Sequence, residues 1–502
     1  MELFASYGSR EAIVFNDIRS TYADLHTSVL TIATRLHEHG LRSGMSAAIL
    51  LYNPPEAPAL QLALHLLGCR TAWISGGDMS PRQRQEFMRA AGVDVLIYDV
   101  RRRADMGREI SEAHPDLPVL CLGPGGRGPD LLAGPPAATP PVGPGDVPDL
   151  PETLCQTGGT TGQPKLVHHR QAFFETVLLL SEQYLARGEH PLRHAAFFGY
   201  GHVAGQVPSM ITLFTGGTLF VHEGISFERI IRQIEAERVN SMLLFPALLY
   251  MLLDHPLLAE IDTSSLRTVS CSGAPTAPAR MAQAITRFGT AMRPTYGMTE
   301  VPFITALPNL AVDPERPDRL GSCGYPYGDI RIEIRDERGR VRPAREIGDV
   351  WVTGGLVMAG YWGQPELTRE TVVDGWCRTG DVGYVDEDGY LFLVDRQKDM
   401  IITGYGATNV YCRPIEDILA AHPGVRAVAV IGVPDEAFGE VAYAYVVTHD
   451  GATVTGEELR QRVLDEFDER WVPRGVEFVA ALPLTDLGKV DKKALRARYR
   501  SA

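Results

Sequence analysis

Lysine is nearly absent from this 502-residue chain. Of 48 basic residues only five are lysine, at 165, 398, 489, 492 and 493. Each therefore invites the question of what an ammonium does there that a guanidinium does not: it is a compact point charge whose pKa moves with its surroundings. Cysteine is sparse too. The seven cysteines are scattered, odd in number and never spaced Cys-x-x-Cys, which fits a reduced, cytoplasmic protein without a zinc site. No uninterrupted apolar run approaches the ~20 residues of a membrane span. Met1 to Arg10 lacks the basic-then-apolar order of a secretory signal. Positive charge is not in excess either: 48 basic against 62 acidic residues leave −14, which argues against nucleic acid or an anionic membrane as the main partner. No repeat at solenoid spacing is visible.

What is present is a globular composition, 45% hydrophobic and 22% charged, on a chain too long for one ordinary domain. Residues 11 to 122 alternate helical and short buried-strand patterns: helices over Tyr22–His39 and Ala57–Leu67, strands at Ala47–Leu51, Val93–Tyr98 and Pro118–Leu122. This alternation predicts a doubly wound parallel sheet covered on both faces. Gly123 to Gly128 matches the dinucleotide G-x-G-x-x-G string, but a proline-rich stretch follows where that fingerprint needs a helix, so 123 to 151 reads as a surface connection. The arginine run 101–103 reads as a solvated face. A long helical pattern is expected from Val167 to Ala186, and strands at Arg267–Cys271, Ile330–Ile334, Asp349–Thr353 and Tyr390–Val394. Asp395-Arg396-Gln397-Lys398-Asp399 is a polar break. The α+β pattern beyond it is the size of a small domain.

The densest chemistry lies at Thr157-Gly158-Gly159-Thr160-Thr161-Gly162-Gln163-Pro164-Lys165. Glycines permit tight turns and close approach, backbone N–H groups and hydroxyls donate to anionic oxygens, and Lys165 adds a charge: a polyphosphate loop. It is not a Walker A loop, which requires Gly-Lys-Ser/Thr running into a helix. Ser272-Gly273-Ala274-Pro275 ends a buried strand, where ligands sit in open α/β sheets. Tyr296-Gly297-Met298-Thr299-Glu300 combines an aromatic, a glycine, a hydroxyl and a carboxylate able to stack a base, touch a phosphate and hold Mg²⁺. Thr379-Gly380-Asp381 and Gly488-Lys489 complete the series.

In this order and spacing the motifs resemble the adenylate-forming superfamily of acyl-CoA synthetases, nonribosomal peptide adenylation domains and beetle luciferases, across nearly the whole chain. The resemblance implies an α/β fold: a large N-terminal adenylation domain (1–394) of doubly wound sheets with a β-rich subdomain, and a small mobile α+β C-terminal domain (395–502). It implies two steps. A carboxylate attacks the α-phosphorus of ATP, giving an acyl-adenylate and pyrophosphate; the thiol of coenzyme A, or of a carrier-protein phosphopantetheine, then displaces AMP. By resemblance Lys489 is the catalytic lysine of the first step, Thr299 lies on the α-phosphate, and Glu300 binds Mg²⁺ with Thr161. Thr157 to Gly162 with Lys165 forms the phosphate loop. Ser272 to Pro275 lies along the adenine and Tyr296 to Met298 joins the nucleotide site. Asp381 accepts from the ribose, joined by Arg396. Asp395 is the hinge, and Gly404, Gly406 and Ala407 line the thiol tunnel. Two departures stand out. Gly158 replaces a usual serine, and the usual Gly-Gly-Glu-Asn and Pro-x-Glu-φ-Glu runs appear as Gly406-Ala407-Thr408-Asn409 and Cys412-Arg413-Pro414-Ile415-Glu416.

The acyl pocket is expected around His202, Val203, Gly205, Gly273, Gly297 and Val301, with glycines 199, 201 and 205 leaving space. His202 itself reads equally as a packed histidine or a pocket wall. No Asp or Glu occurs between Ala195 and Pro208, and a buried α-ammonium without a carboxylate is costly. An aliphatic or aromatic acid is therefore expected, not an α-amino acid. Rival readings are a carrier-protein loading ligase, a luciferase-like oxidase and a nucleotide-binding regulator without turnover; retained Glu300, Asp381 and Lys489 oppose the last.

Overall fold

A computed structural model describes residues 1–51, 53–74, 79–143, 151–157, 165–222, 224, 226–274, 276, 278–307, 319, 321–403, 408–485 and 489–501. Four sheets organise them. In the first, five strands are parallel: Val119–Leu122, Val95–Asp99, Ser46–Leu50, Arg70–Trp73 and Glu152–Gln156 (β1). Leu166–His169 (β2) and Gly360–Tyr361 then close one edge antiparallel. Alternate residues of one strand serve two cores. Ala47 and Ile49 point to one, Ala48 and Leu50 to the other, because side chains on a strand alternate faces. Both faces are covered, so the strands read as continuous apolar runs.

The second sheet has parallel strands Glu11–Phe15, Thr218–Val221, Arg193–Ala196, Ser241–Leu244, Thr268–Cys271 (β3) and Met292–Met298 (β4). Antiparallel edges follow at both ends: Ile18–Thr21 at one, Val301–Ala306 (β5) and Tyr325–Pro326 at the other. Helices Tyr22–Glu38 and Ala57–Leu66 fill the core shared by the two sheets, packing Leu25, Val29 and Leu60 among Ile49, Ile13 and Leu219. The first is closed at its N-terminus by a capping box in which Thr21 and Asp24 satisfy each other's backbone N–H. Val203–Phe214 (α1) follows the loop that carries His202.

A third, antiparallel sheet holds Arg331–Arg335, Gly348–Thr353, Trp376–Val385 (β6) and Leu391–Arg396 (β7). Beyond it, a sheet built on Val425–Asp435 and Gly439–Thr448 is packed by Cys412–Ala420 (α2) on one side and Lys492–Ser501 (α3) on the other. Its two cores draw only on residues 401 to 499.

Three expectations change. The pattern from Val167 to Ala186 is not one helix. Its first residues form β2, whose backbone is taken by β1 and Gly360–Tyr361 on its two sides, and the helix is Gln171–Ala186. The polar break is not a break in the strand: Asp395 and Arg396 continue β7, paired with Val382 and Asp381, and a 3₁₀ turn over Gln397–Asp399 follows. Arg101 is no merely solvated arginine, since it grips Asp99 and Glu56 at 2.8 and 3.0 Å. No helix follows Gly128; the chain folds back, Leu131 N–H donating to the Cys121 carbonyl at 2.8 Å. Among the described residues, no helix is long and apolar enough to cross a membrane.

Candidate active site

Two buried carboxylates face the end of the second sheet. Glu300 sits at the β4–β5 turn, 7% exposed, where Met298 pairs with Val301. Its Oε1 accepts a hydrogen bond from the Tyr361 hydroxyl at 2.7 Å, and its carbonyl accepts from Met358 N–H at 2.8 Å. The neighbouring Thr299 carbonyl accepts from His169 Nε2 at 2.8 Å. Burial pushes that imidazole down to about 4, so it is neutral with its proton on Nε2. Thus β2 and the edge strand Gly360–Tyr361, both in the first sheet, fix a turn that belongs to the second.

Asp381, 4% exposed, lies on β6 directly across from Arg396 on β7. Arg396 Nε stands 2.8 Å from Oδ1, and the Tyr296 hydroxyl donates to Oδ2. Burial, then the Asp381 charge, pushes the Tyr296 phenol well above its usual pKa, so it remains a donor. Thr379 Oγ1 accepts from Asp381 N–H at 3.1 Å and donates to the Val350 carbonyl at 2.9 Å.

Lys489 reaches this pair from the C-terminal end of the chain. Its backbone is held beside the Leu484–Val490 bridge, with Thr485 N–H donating to the Lys489 carbonyl at 2.7 Å. Its Cε lies 3.5 Å from where a Cβ on Gly273 would stand, and Gly273 has φ +89°, so a side chain there would be strained and would crowd the lysine. Burial, then Arg396, pushes the ammonium down to about 8, against the pull of Asp381 and Glu300. His202, which N-caps α1 through its backbone, is pushed down to about 4 by burial and then by Lys489. Lys398 is lowered by burial and by Arg396. Three cations and two carboxylates thus converge, a balance suited to a polyanion.

The phosphate-loop expectation is only partly visible. Thr157 N–H donates to the Lys165 carbonyl at 3.1 Å, closing the neck of the loop, and Lys165 Nζ lies 5.4 Å from the Tyr361 ring. Gly158, Gly159, Thr160, Thr161 and Gly162 lie outside the described residues, as do Pro275, Gly404, Gly406 and Ala407. Ser272 N–H donates to the Leu244 carbonyl at 2.9 Å at the end of β3.

Four of the residues expected at the acyl pocket are closely packed against protein. Space beside Gly205 is filled by the Gly199 carbonyl, 2.4 Å from an added Cβ, and beside Gly297 by the Pro302 carbonyl at 1.9 Å. These glycines let backbones approach; they do not open room. Val301 is wholly buried among Tyr296 and Ile304. Val203 is buried as well. The rings near His202 are instead Phe198 against Phe245, 5.7 Å apart, and Tyr200 against Trp73, 5.5 Å apart. A Cβ added to Gly201 would meet Trp73 at ordinary contact distance, 3.6 Å. Tyr361 and His169 escaped the sequence reading, because a lone tyrosine and a histidine within apolar runs look like core.

At the junction, Asp395 Oδ1 accepts from Arg396 N–H at 2.7 Å and Oδ2 from Cys412 N–H at 2.5 Å. The second bond exists only because Cys412 stands where the resembled pattern has proline, which carries no N–H.

Residues 3–362 match the AMP-binding enzyme family and 414–489 the AMP-binding enzyme C-terminal domain. The chain is 33% identical to a medium/long-chain-fatty-acid–CoA ligase, FadD8, of Mycobacterium tuberculosis, over 98% of this chain and 88% of that protein. It is 34% identical to a feruloyl-CoA synthase of Amycolatopsis, over 95% and 94%. The solved amide bond synthetase McbA from Marinactinospora thermotolerans superposes with a TM-score of 0.88 at 35% identity, covering 99% of this chain and 98% of that one. With the convergent acids and lysine, these matches place the chain in the AMP-binding enzyme family of the adenylate-forming superfamily, as an ATP-dependent, AMP-forming acid–thiol ligase.

Proposed function

We propose that this enzyme activates an aliphatic or aromatic carboxylic acid as its adenylate and passes the acyl group to coenzyme A. The observation that carries the reading is Lys489 lying against Gly273, among Glu300, Asp381, Arg396 and His202. In the first step a carboxylate oxygen bonds to the α-phosphorus and pyrophosphate leaves with its bonding pair. Two anions must meet, so cations and donors have to be fixed beforehand. Lys489 bridges the attacking carboxylate and the α-phosphate. Thr299 donates to the phosphate. Asp381, held by Arg396 and Tyr296, accepts from the ribose hydroxyls, and Ser272, Gly273, Ala274, Gly297 and Met298 border the base.

Glu300 fits a Mg²⁺ ligand: a buried carboxylate with one oxygen engaged by Tyr361. One carboxylate is enough where phosphates and water complete the shell. When bound, the ion neutralises charge on the phosphates.

The His202 imidazole that feels the Lys489 charge is neutral, and Ala195 to Pro208 offers no carboxylate. This supports an acid without an α-ammonium. In the second step the thiol sulfur bonds to the acyl carbon, AMP leaves, and the thiol proton is released. We assign 1–394 to substrate and nucleotide binding. Residues 395–502 form a unit that turns at Asp395 and exchanges Lys489 for the segment around Gly406. Free cysteines throughout the described residues agree with a cytoplasmic setting.

ATP–pyrophosphate exchange across a carboxylic acid library tests the first step. CoA, a panel of holo-carrier proteins and an amine, the acceptor class suggested by similarity to an amide bond synthetase, test the second. Exchange with no acid, or an adenylate discharged by carrier protein or amine but not by CoA, overturns the corresponding half.

A further inference from the structure

We propose that Arg413 is a positioning residue for adenylation: its guanidinium ties the small unit to the strand before the hinge and holds the orientation that delivers Lys489. The proposal rests on the two-orientation reading above. Arg413 is the second residue of α2 and only 9% exposed. Its Nη1 donates to the Leu393 carbonyl on β7 at 2.9 Å, and burial, which pushes the Cys323 thiol up, is opposed there by the Arg413 charge, which draws it down. Both residues precede Asp395, whereas Arg413 follows it. Arg396 crosses too, to Asp381 at 2.8 Å, but within the nucleotide site; the contacts of Cys412 do not cross. Cys412 N–H reaches Asp395 itself, and Cys412 Sγ donates to the Asp399 carbonyl at 3.2 Å.

A turn at Asp395 therefore has to pull Arg413 off the Leu393 carbonyl, and a buried guanidinium parts from its acceptor at a cost. The counter-ion comes along: Asp417, one turn further on α2, lies 3.7 Å from Arg413 Nε. The grip is transmitted to the lysine by short links. Glu416 on α2 meets Lys492 Nζ at 2.9 Å, Lys492 opens α3, and Lys489 lies three residues earlier. Arg496 on α3 meets Asp399 Oδ1 at 2.8 Å, so helix and hinge turn move as one body. Arg413 fastens that body to the other side at a point outside the nucleotide site.

Arg413→Gln, too short to reach Leu393, should lower the adenylation kcat roughly tenfold, the scale of one charge-assisted hydrogen bond. KM for ATP and acid should stay unchanged, and thioester formation from supplied acyl-adenylate should be unaffected or faster. Arg413→Lys should recover part of the loss. Spin labels on cysteines placed at exposed Leu179 and Glu469 report the orientation by their distance distribution. Wild type with ATP and a non-reactive acid analogue should give one dominant distance, and Arg413→Gln a second population under the same conditions. Equal slowing of both half-reactions with an unchanged distribution, or slowing of neither, overturns the proposal. If Arg413→Gln does not fold, Arg413→Lys carries the same comparison. Identical distributions for wild type in the adenylate-bound and CoA-bound states would instead overturn the two-orientation reading itself.

Discussion

Raising the pH should switch off adenylation and spare the thiol step. Burial, with Arg396 behind it, brings the Lys489 ammonium from 10.5 down to about 8. At ~1.4 kcal/mol per tenfold change this depression corresponds to about 3.5 kcal/mol, and solvent screening of the partly exposed ammonium brings the upper bound to about 3 kcal/mol. Lys489 works as a cation, so the free enzyme loses its adenylating form as pH climbs through 8. The kcat/KM for ATP, which reports the free enzyme, should fall about tenfold per pH unit above that point. Bound ATP places anionic oxygens beside the lysine and restores its proton, so kcat at saturating ATP should hold to a higher pH. Thioester formation from supplied acyl-adenylate should not fall over this range. The same depressed pKa has a stability counterpart. The folded apo chain holds the proton less well than the unfolded chain, so the penalty is full below about pH 8 and fades between there and 10.5. Lys489→Ala should therefore stabilise the apo protein at pH 7 by up to about 3 kcal/mol in denaturant melts while costing adenylation about 10²-fold or more. Single-turnover pyrophosphate release gives the rates. A kcat/KM profile flat to pH 10, or an alanine variant that keeps the wild-type profile, would refute the reasoning.

Glu300→Gln should weaken Mg²⁺-dependent turnover and leave AMP affinity in calorimetry largely intact; lost AMP affinity with unchanged Mg²⁺ dependence counts against the ligand role. Tyr361→Phe should raise the Mg²⁺ concentration needed for half-maximal adenylation, since it frees one Glu300 oxygen of its donor; an unaltered titration would detach Tyr361 from the site. α-Amino acids should support less pyrophosphate exchange than their deaminated analogues, and the reverse order would contradict an acyl site without a carboxylate. Asp395→Pro should leave adenylation standing and slow thioester formation, because proline fixes φ near −65° and restricts Val394 before it; equal slowing of both steps, or of neither, would remove Asp395 as the hinge.

The parts legible in the sequence were those whose signal is local. Strands buried on both faces announced themselves as short apolar runs, and the helix over Tyr22–Glu38 by its apolar spacing. Glu300, Asp381 and Lys489 stand out by the order in which their motifs resemble the adenylate-forming superfamily, since each motif alone is weak. What escaped depended on distant chain. Nothing in Leu166–His169 says that two separate strands will claim its backbone. The Tyr361–Glu300 and His169–Thr299 bonds join residues 61 and 130 positions apart. The room read from glycines 199, 201 and 205 failed at Gly205 because an absent side chain serves close backbone approach as readily as an opening. Asp395 and Arg396 looked like a break by polarity, yet cross-strand pairing with Val382 and Asp381 keeps them in β7.

The first hairpin has a consequence for how the chain is made. Ile13 pairs with Leu219, and Phe15 with Val221, so the strand at the start of the sequence waits for partners about 200 residues downstream. At ~5–20 residues per second that wait lasts roughly 10–40 s on the ribosome. During it Ile13, Val14 and Phe15, all buried at the end, are exposed on an unpaired edge, the kind of surface that recruits other strands. Five parallel strands of the seven-stranded sheet can pair with residues 46 to 156 in hand; Leu166–His169 follows at once and only the two-residue edge Gly360–Tyr361 comes late. The second sheet cannot close until its centre exists. Synthesis rate and chaperone supply, more than the final stability of either sheet, should therefore govern the yield of folded enzyme.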